Sequence, residues 1–178
     1  SDASRQNYSY RIIKKNSCGK FINIQKDPKN WLEKEFADIP PPIQAVLWKV
    51  KNSEENDKLC AVALILNKHF AYSSGSENIY LNKNETWNKL LSDKLENDDV
   101  FTCDCDVLST FSFIYLKYLD FEPVMLLGFF PLEKNGEKKL STEEMHTTIF
   151  LSTKKGWILF EPTLFSPHVD VVDDPGET

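Results

Sequence analysis

The stretch from Val107 to Leu119 constrains the fold of this chain more than any other feature. Its apolar side chains fall at offsets of 0, 1, 4, 7, 8, 11 and 12 from Val107, the spacing of one continuous helical stripe. Asp120 and Pro123 follow and end the pattern. The sequence therefore predicts a long amphipathic helix that packs one face against a core.

Strand-like segments follow this helix. Residues 123–130 predict a buried strand, and residues 132–144 predict a charged loop. The β-rich runs 146–152 and 157–161 flank a Thr-Lys-Lys-Gly turn at residues 153–156, which predicts an antiparallel hairpin.

The first half of the chain is mainly helical in pattern. Residues 59–70 predict a buried helix, while residues 43–50 fit either a helix or a strand. The other expectations are helices at 29–36 and 86–95, a helix-breaking proline run at 40–42, a charged loop at 52–58, and short strands at 10–13 and 21–24. Helices followed by an antiparallel sheet indicate an α+β fold.

Length and composition indicate one domain. The chain has 178 residues, a net charge of −6 and a pI near 5.1. A chain of this length buries a core without disulfides. We predict a domain over residues 21–168, a flexible segment at 1–20 and an acidic tail at 169–178.

Several classes of protein are disfavoured by the composition. No apolar run approaches the ~20 residues of a membrane helix, and no signal-peptide pattern opens the chain. The acidic balance argues against a general nucleic-acid binder, which needs clustered Lys and Arg. Both ends have an unstructured composition, as in one domain of a longer protein.

Among the 4 cysteines, Cys105 has the most informative position. It begins the long helix, where the positive end of the helix dipole stabilises a thiolate nucleophile. The alternative is a cysteine that merely begins a helix. Cys60 lies in an apolar run and predicts a buried, inert thiol, while Cys18 predicts a loop cysteine.

The hairpin offers a partner for this thiol. If Ser152 faces Trp157 across the turn, His146 and Glu161 become diagonal neighbours on one face. Their Cα atoms would then lie roughly 7–8 Å apart, within reach of a carboxylate that orients the imidazole. The alternative is a surface His–Glu pair of little energetic consequence.

These residues resemble the transglutaminase-like superfamily, a papain-like cysteine clan. The resemblance covers about residues 64–163 and rests on the Asp-Cys-Asp sequence at 104–106, the strand ending at Gly128, His146, and the Trp-x-x-x-Glu-Pro-Thr sequence at 157–163. It implies a papain-like core, with the nucleophile at the start of a central helix packed on an antiparallel sheet.

The resemblance also implies the roles of the residues. Cys105 would attack an amide carbonyl, His146 would transfer the proton, and Glu161 would orient His146, with Trp87 as a candidate second oxyanion donor. Cys103, Asp104 and Asp106 would lie beside the site. Cys103 replaces the usual Gly, which adds bulk and a second thiol near the site. Glu161 replaces the usual Asp and is one methylene longer, so the orientation of His146 can differ from that in the family.

The implied activity is that of a cysteine peptidase acting on a protein or peptide substrate. The alternatives are a glutamine acyl transferase or deamidase, and a non-catalytic interaction module on the same fold. A zinc site at Cys103, Cys105 and His146 is a weaker alternative, because structural sites usually use C-x₂₋₄-C pairs. No phosphate loop or dinucleotide motif is present, so we expect neither a cofactor nor a metal.

Overall fold

The computed structural model describes residues 28–74, 79, 81, 84–97, 99–134 and 136–169. The helices are α1 (Pro28–Ala37), α2 (Pro41–Val50), α3 (Glu55–His69), α4 (Trp87–Glu96) and α5 (Cys105–Tyr118). The strands are β1 (Phe70–Tyr72), β2 (Phe101–Cys103), β3 (Pro123–Lys134), β4 (Glu137–Thr153) and β5 (Gly156–Phe160), followed by a short 3₁₀ helix at Pro162–Leu164.

Some expectations fall on other parts of the chain. The predicted strands at 10–13 and 21–24, Cys18 and residues 170–178 of the predicted tail lie outside the described residues. The division into a segment, a domain and a tail stays a prediction.

The strands form two sheets, which confirms the predicted α+β class. In one, β1 and β2 pair in parallel; in the other, β3, β4 and β5 pair antiparallel in that order. The predicted hairpin is confirmed with its register, because Ser152 pairs with Trp157. Helix α5 contacts both sheets and also packs against α1 and α3, so it is the central element of the fold.

An aromatic cluster holds α5 against the small sheet. The ring of Phe111 lies with its centroid 4.8 Å from that of Phe70 and 5.3 Å from that of Phe101. All three side chains are buried, and Trp87 packs edge-on against Phe111 with centroids 6.0 Å apart. Because both strands of the small sheet meet the helix through these rings, the cluster fixes where α5 begins relative to β2.

The prediction of a charged loop at 132–144 is wrong. Strand β3 continues to Lys134 and β4 begins at Glu137, with register pairs from Pro131–Leu140 to Lys134–Glu137. Gly136 has a φ of 78°, the left-handed conformation that a tight hairpin turn needs. Strand pairing uses backbone hydrogen bonds, so a charged composition does not prevent it.

Two expectations in the first half are also wrong. The proline run does not simply end a helix, because α2 begins at Pro41. Proline is compatible with the first turn, where its missing N–H has no intrahelical partner to lose. The predicted loop at 52–58 is likewise helical from Glu55 onward. The ambiguous segment 43–50 belongs to α2.

Cys60 is exposed, contrary to the prediction of a buried thiol. Helix α3 buries Ala61, Val62, Ile65 and Leu66 on one side. Cys60 is on the solvent side, because only part of a continuous apolar run can face the core when the run is helical.

Within the described residues, no helix is both long and apolar enough to cross a membrane.

Candidate active site

Cys105 is the first residue of α5, and one residue, Asp104, separates it from the end of the strand β2. The carboxylate of Asp104 caps the helix by accepting a hydrogen bond from the Val107 backbone N–H at 3.1 Å. This cap satisfies one of the backbone donors that a helix leaves unpaired at its N-terminus. The half-buried thiol of Cys105 is therefore held at a capped junction between a strand and a helix.

The hairpin brings His146 and Glu161 together, as the register predicts. The Nε2 atom of His146 lies 2.7 Å from Oε2 of Glu161. The other carboxylate oxygen, Oε1, accepts hydrogen bonds from the backbone N–H of Thr163 at 3.3 Å and from its hydroxyl at 2.8 Å. Both oxygens of Glu161 are thus engaged, which fixes the carboxylate behind the imidazole.

Hydrogen bonding with Cys105, followed by hydrogen bonding with Glu161, raises the pKa of His146 from 6.5 to about 10, although burial opposes the rise. Burial raises the pKa of Glu161, but hydrogen bonds from His146 and Thr163 outweigh it and hold the pKa below the ordinary value. The site therefore favours an imidazolium between a sulfur and a carboxylate.

The residues next to Cys105 and His146 in sequence also meet. The hydroxyl of Thr147 donates a hydrogen bond to the carboxylate of Asp106. The hydroxyl of Ser109, one helical turn along, donates to the backbone carbonyl of Thr147 at 3.1 Å. These bonds join α5 to β4 beside the thiol and the imidazole. Asp106 was expected only to lie near the site, and its partner Thr147 carries no signal of its own in the sequence.

Cys103 and Trp87 lie in the core. The thiol of Cys103 is fully buried, and burial, followed by the charges of Asp104 and Cys105, raises its pKa. The indole of Trp87 packs on Phe111, and no hydrogen bond joins it to Cys105 among the described residues. Within the same residues, no cluster of three or more His, Cys, Asp or Glu side chains could hold a metal ion.

The sequence did not indicate that Tyr72 and His168 lie near the site. The ring of Tyr72 lies 4.9 Å from that of His168, whose Nε2 is 2.6 Å from the backbone carbonyl of Thr163. Burial, followed by the charges of Cys105, Asp104 and Glu161, raises the pKa of Tyr72. Strand β1 has only three residues, too few for a periodic pattern, so the sequence gives no indication that it borders the site.

A buried carboxylate, also missed, supports the helix that carries Trp87. Glu35 accepts hydrogen bonds from the backbone N–H groups of Trp87 and Asn88 and from the Asn88 side chain, each at 3.0 Å. Burial raises its pKa. In sequence, this residue is an ordinary helical glutamate more than fifty positions from its partners.

Comparison with known proteins adds a likeness in fold. No protein-family model matches the sequence, and no curated protein matches it. The periplasmic domain of TgpA from Pseudomonas aeruginosa bound to ethylmercury is similar, with a TM-score of 0.53 and 14% identity over 71% of this chain and 45% of that chain. A second structure of that domain gives a TM-score of 0.51 and 14% identity over 74% and 47% of the two chains.

The chain thus spans less than half the length of the two structures it matches. At this identity the likeness concerns the fold alone. Together with the order of helices and strands around α5, it supports a transglutaminase-like α+β fold for this chain.

Proposed function

We propose that this chain is a thiol-dependent enzyme that cleaves or transfers amide bonds, and that hydrolysis of a protein or peptide is its main reaction. Cys105 is the nucleophile, His146 the acid and base, and Glu161 the orienting carboxylate. The observation that carries the proposal is the 2.7 Å contact between His146 and Glu161, together with a raised His146 pKa whose first cause is the thiol of Cys105.

The environment of Cys105 supports its role. A thiolate is the nucleophilic form of cysteine, and both a neighbouring imidazolium and a helix N-terminus favour it. Hydrogen bonding with Cys105 and Glu161 raises the pKa of His146, which favours the imidazolium. The Glu161 carboxylate, held by Thr163, stabilises that imidazolium and fixes its orientation.

The first half of the reaction forms an acyl-enzyme. The Cys105 thiolate adds to the carbonyl carbon of the amide, and the oxyanion accepts a hydrogen bond from the Cys105 backbone N–H. The first residue of a helix has a backbone N–H without an intrahelical acceptor, so the helix itself does not use this donor. The C–N bond then breaks, His146 donates its proton to the leaving amine, and a thioester remains on Cys105.

The second half releases the acyl group. His146, now neutral, takes a proton from water while the water oxygen attacks the thioester carbonyl. The carboxylic acid leaves, and the thiolate–imidazolium pair is restored. An amine in place of water gives transfer, so the same residues support a glutamine acyl transferase. Trp87 stays a candidate for the second oxyanion donor.

A peptide-library screen with and without an added primary amine tests this proposal. We expect peptide hydrolysis that disappears in Cys105→Ala and falls at least about a hundredfold in His146→Ala, as for removal of a general base. Cys60→Ala is the matched control, because it removes an exposed thiol by the same substitution. Products that persist in Cys105→Ala would refute the proposal. A Cys105 no more reactive than Cys60, in a protein that turns over no peptide, would favour the interaction module.

A further inference from the structure

The helix that carries Cys105 and the strand that carries His146 are joined by a side-chain hydrogen bond beside these two residues. The Thr147 hydroxyl donates to the Asp106 carboxylate, and the two residues are 41 positions apart in sequence. Thr147 is 3% exposed, so its hydroxyl has little access to water as a substitute partner. Each of the two bonded residues follows one of the proposed catalytic residues directly.

Side chains alternate between the two sides of β4, so Thr147 and His146 lie on opposite sides of the strand. Thr147, Ile149 and Leu151 are buried, while His146 lies on the other, partly exposed side of the strand. The side chain of His146 therefore lies on the opposite side of β4 from the Thr147 hydroxyl that binds α5. Its position relative to Cys105 depends on where the β4 backbone sits along α5, and the Thr147 hydroxyl holds that backbone to the helix.

We propose that Asp106 and Thr147 are positioning residues that align the imidazole of His146 with the thiol of Cys105. This inference rests on the proposed function and assigns to the pair a role in it. Neither side chain enters the reaction. Asp106 provides a fixed acceptor in the first turn of α5. By binding it, Thr147 holds the β4 backbone in place, and with it the preceding residue, His146. The Ser109 hydroxyl, which binds the Thr147 carbonyl, holds the same point of the strand from the next turn of the helix.

Thr147→Val tests the inference, because it removes the hydroxyl and keeps the shape of the side chain. The first readout is the rate at which iodoacetamide alkylates Cys105 relative to the exposed Cys60 at pH 6, measured by peptide mass spectrometry. The second readout is the midpoint of the His146 titration, measured by NMR. We expect the relative rate to fall at least about tenfold, as for loss of one hydrogen bond to a charged acceptor. The His146 midpoint should fall from about 10 toward 6.5.

Two further variants separate positioning from stability. Thr147→Ser restores the hydroxyl and should return both readouts to within about twofold of the original protein. Ser112→Ala is the control, because it removes a buried hydroxyl of α5 that bonds the Leu108 backbone carbonyl at 2.8 Å and does not touch Asp106. It should lower the melting temperature without changing either readout. If Thr147→Val does not fold, Asp106→Ala provides the same test from the helix side.

A melting temperature lowered in Thr147→Val, with an unchanged alkylation ratio and His146 midpoint, would show a structural role only and overturn the inference. Failure of the proposed function gives a different result. In that case Cys105 would be no more reactive than Cys60 in the original protein. The His146 midpoint in Thr147→Val would still decide whether the pair positions the imidazole.

Discussion

Replacing Glu161 by Gln removes the charge that faces His146 and keeps the size of the side chain. In the structure, the pKa of His146 rises from 6.5 to about 10, first through the hydrogen bond with Cys105 and then through the one with Glu161. A rise of this size corresponds to about 5 kcal/mol in favour of the imidazolium, at 1.36 kcal/mol for each tenfold change. The Glu161 carboxylate raises the pKa of His146 in two ways, through its hydrogen bond and through its charge.

We therefore expect Glu161→Gln to lower the titration midpoint of His146 by at least about one pH unit, or about 1.4 kcal/mol. The midpoint should stay above 6.5, since the hydrogen bond with Cys105 remains. Imidazole NMR signals followed from pH 5 to 11 measure it, with the signal of His146 assigned by its loss in His146→Asn. Cys105→Ser should lower the midpoint further, because the thiol is the larger cause.

Glu55→Gln is the matched control for this experiment. Its carboxylate accepts hydrogen bonds from the Lys154 backbone N–H at 3.0 and 3.1 Å, at the turn end of the same hairpin. The substitution should leave the His146 midpoint unchanged. A midpoint near 6.5 in the original protein, or one that Glu161→Gln does not move, would refute the reasoning from charge and hydrogen bonding.

Three further predictions concern buried groups. Cys103 should resist alkylation at pH 8 until urea unfolds the protein, because burial raises the pKa of its thiol; labelling of the folded protein would contradict this. Glu35→Ala should lower the free energy of unfolding by about 2–4 kcal/mol in urea titrations, since the buried N–H groups of Trp87 and Asn88 lose their acceptor. A free energy of unfolding that does not change would contradict the burial argument. Phe111→Ala should cost about 3–5 kcal/mol in the same assay and leave the β4–β5 hairpin register intact.

Glu35 also gives the protein a dependence on pH with a definite sign. Burial raises its pKa in the folded state, so just above pH 4.5 the folded protein holds a proton that the unfolded chain has lost. The stability is therefore greater below this window and falls as the pH rises through it. Glu35→Gln should remove this fall.

The sequence predicted the parts of the fold that depend on local periodicity. The apolar offsets after Val107 correctly predicted α5, and the turn at 153–156 fixed a register that places His146 diagonally from Glu161. Both follow from spacing within a short stretch. The meeting of Cys105 with His146 was expected only from the resemblance to a family, because no local pattern relates a helix to a hairpin forty residues away.

What the sequence did not predict depends on partners that are distant in the chain. The three-residue strand of Tyr72 exists because a parallel partner lies beside it. The roles of Glu35 and Thr147 follow from hydrogen bonds over 53 and 41 positions, respectively. The burial of Cys60 was predicted wrongly for a related reason. An apolar run shows that a segment is hydrophobic, but the packing of α3 decides which of its side chains are buried.

The relative alkylation rate of Cys105 and Cys60 at pH 6 tests the central claim most directly. At this pH an ordinary thiol, with a pKa of about 8.5, is less than about 1% thiolate, so a solvent-exposed cysteine reacts slowly. If Cys105 is paired with an imidazolium, it should react at least about tenfold faster than Cys60 despite its lower exposure. The advantage should shrink toward pH 9 and be lost in His146→Ala. A Cys105 that reacts no faster than Cys60 from pH 6 to 9, with or without His146, would contradict the assignment of Cys105 as the nucleophile.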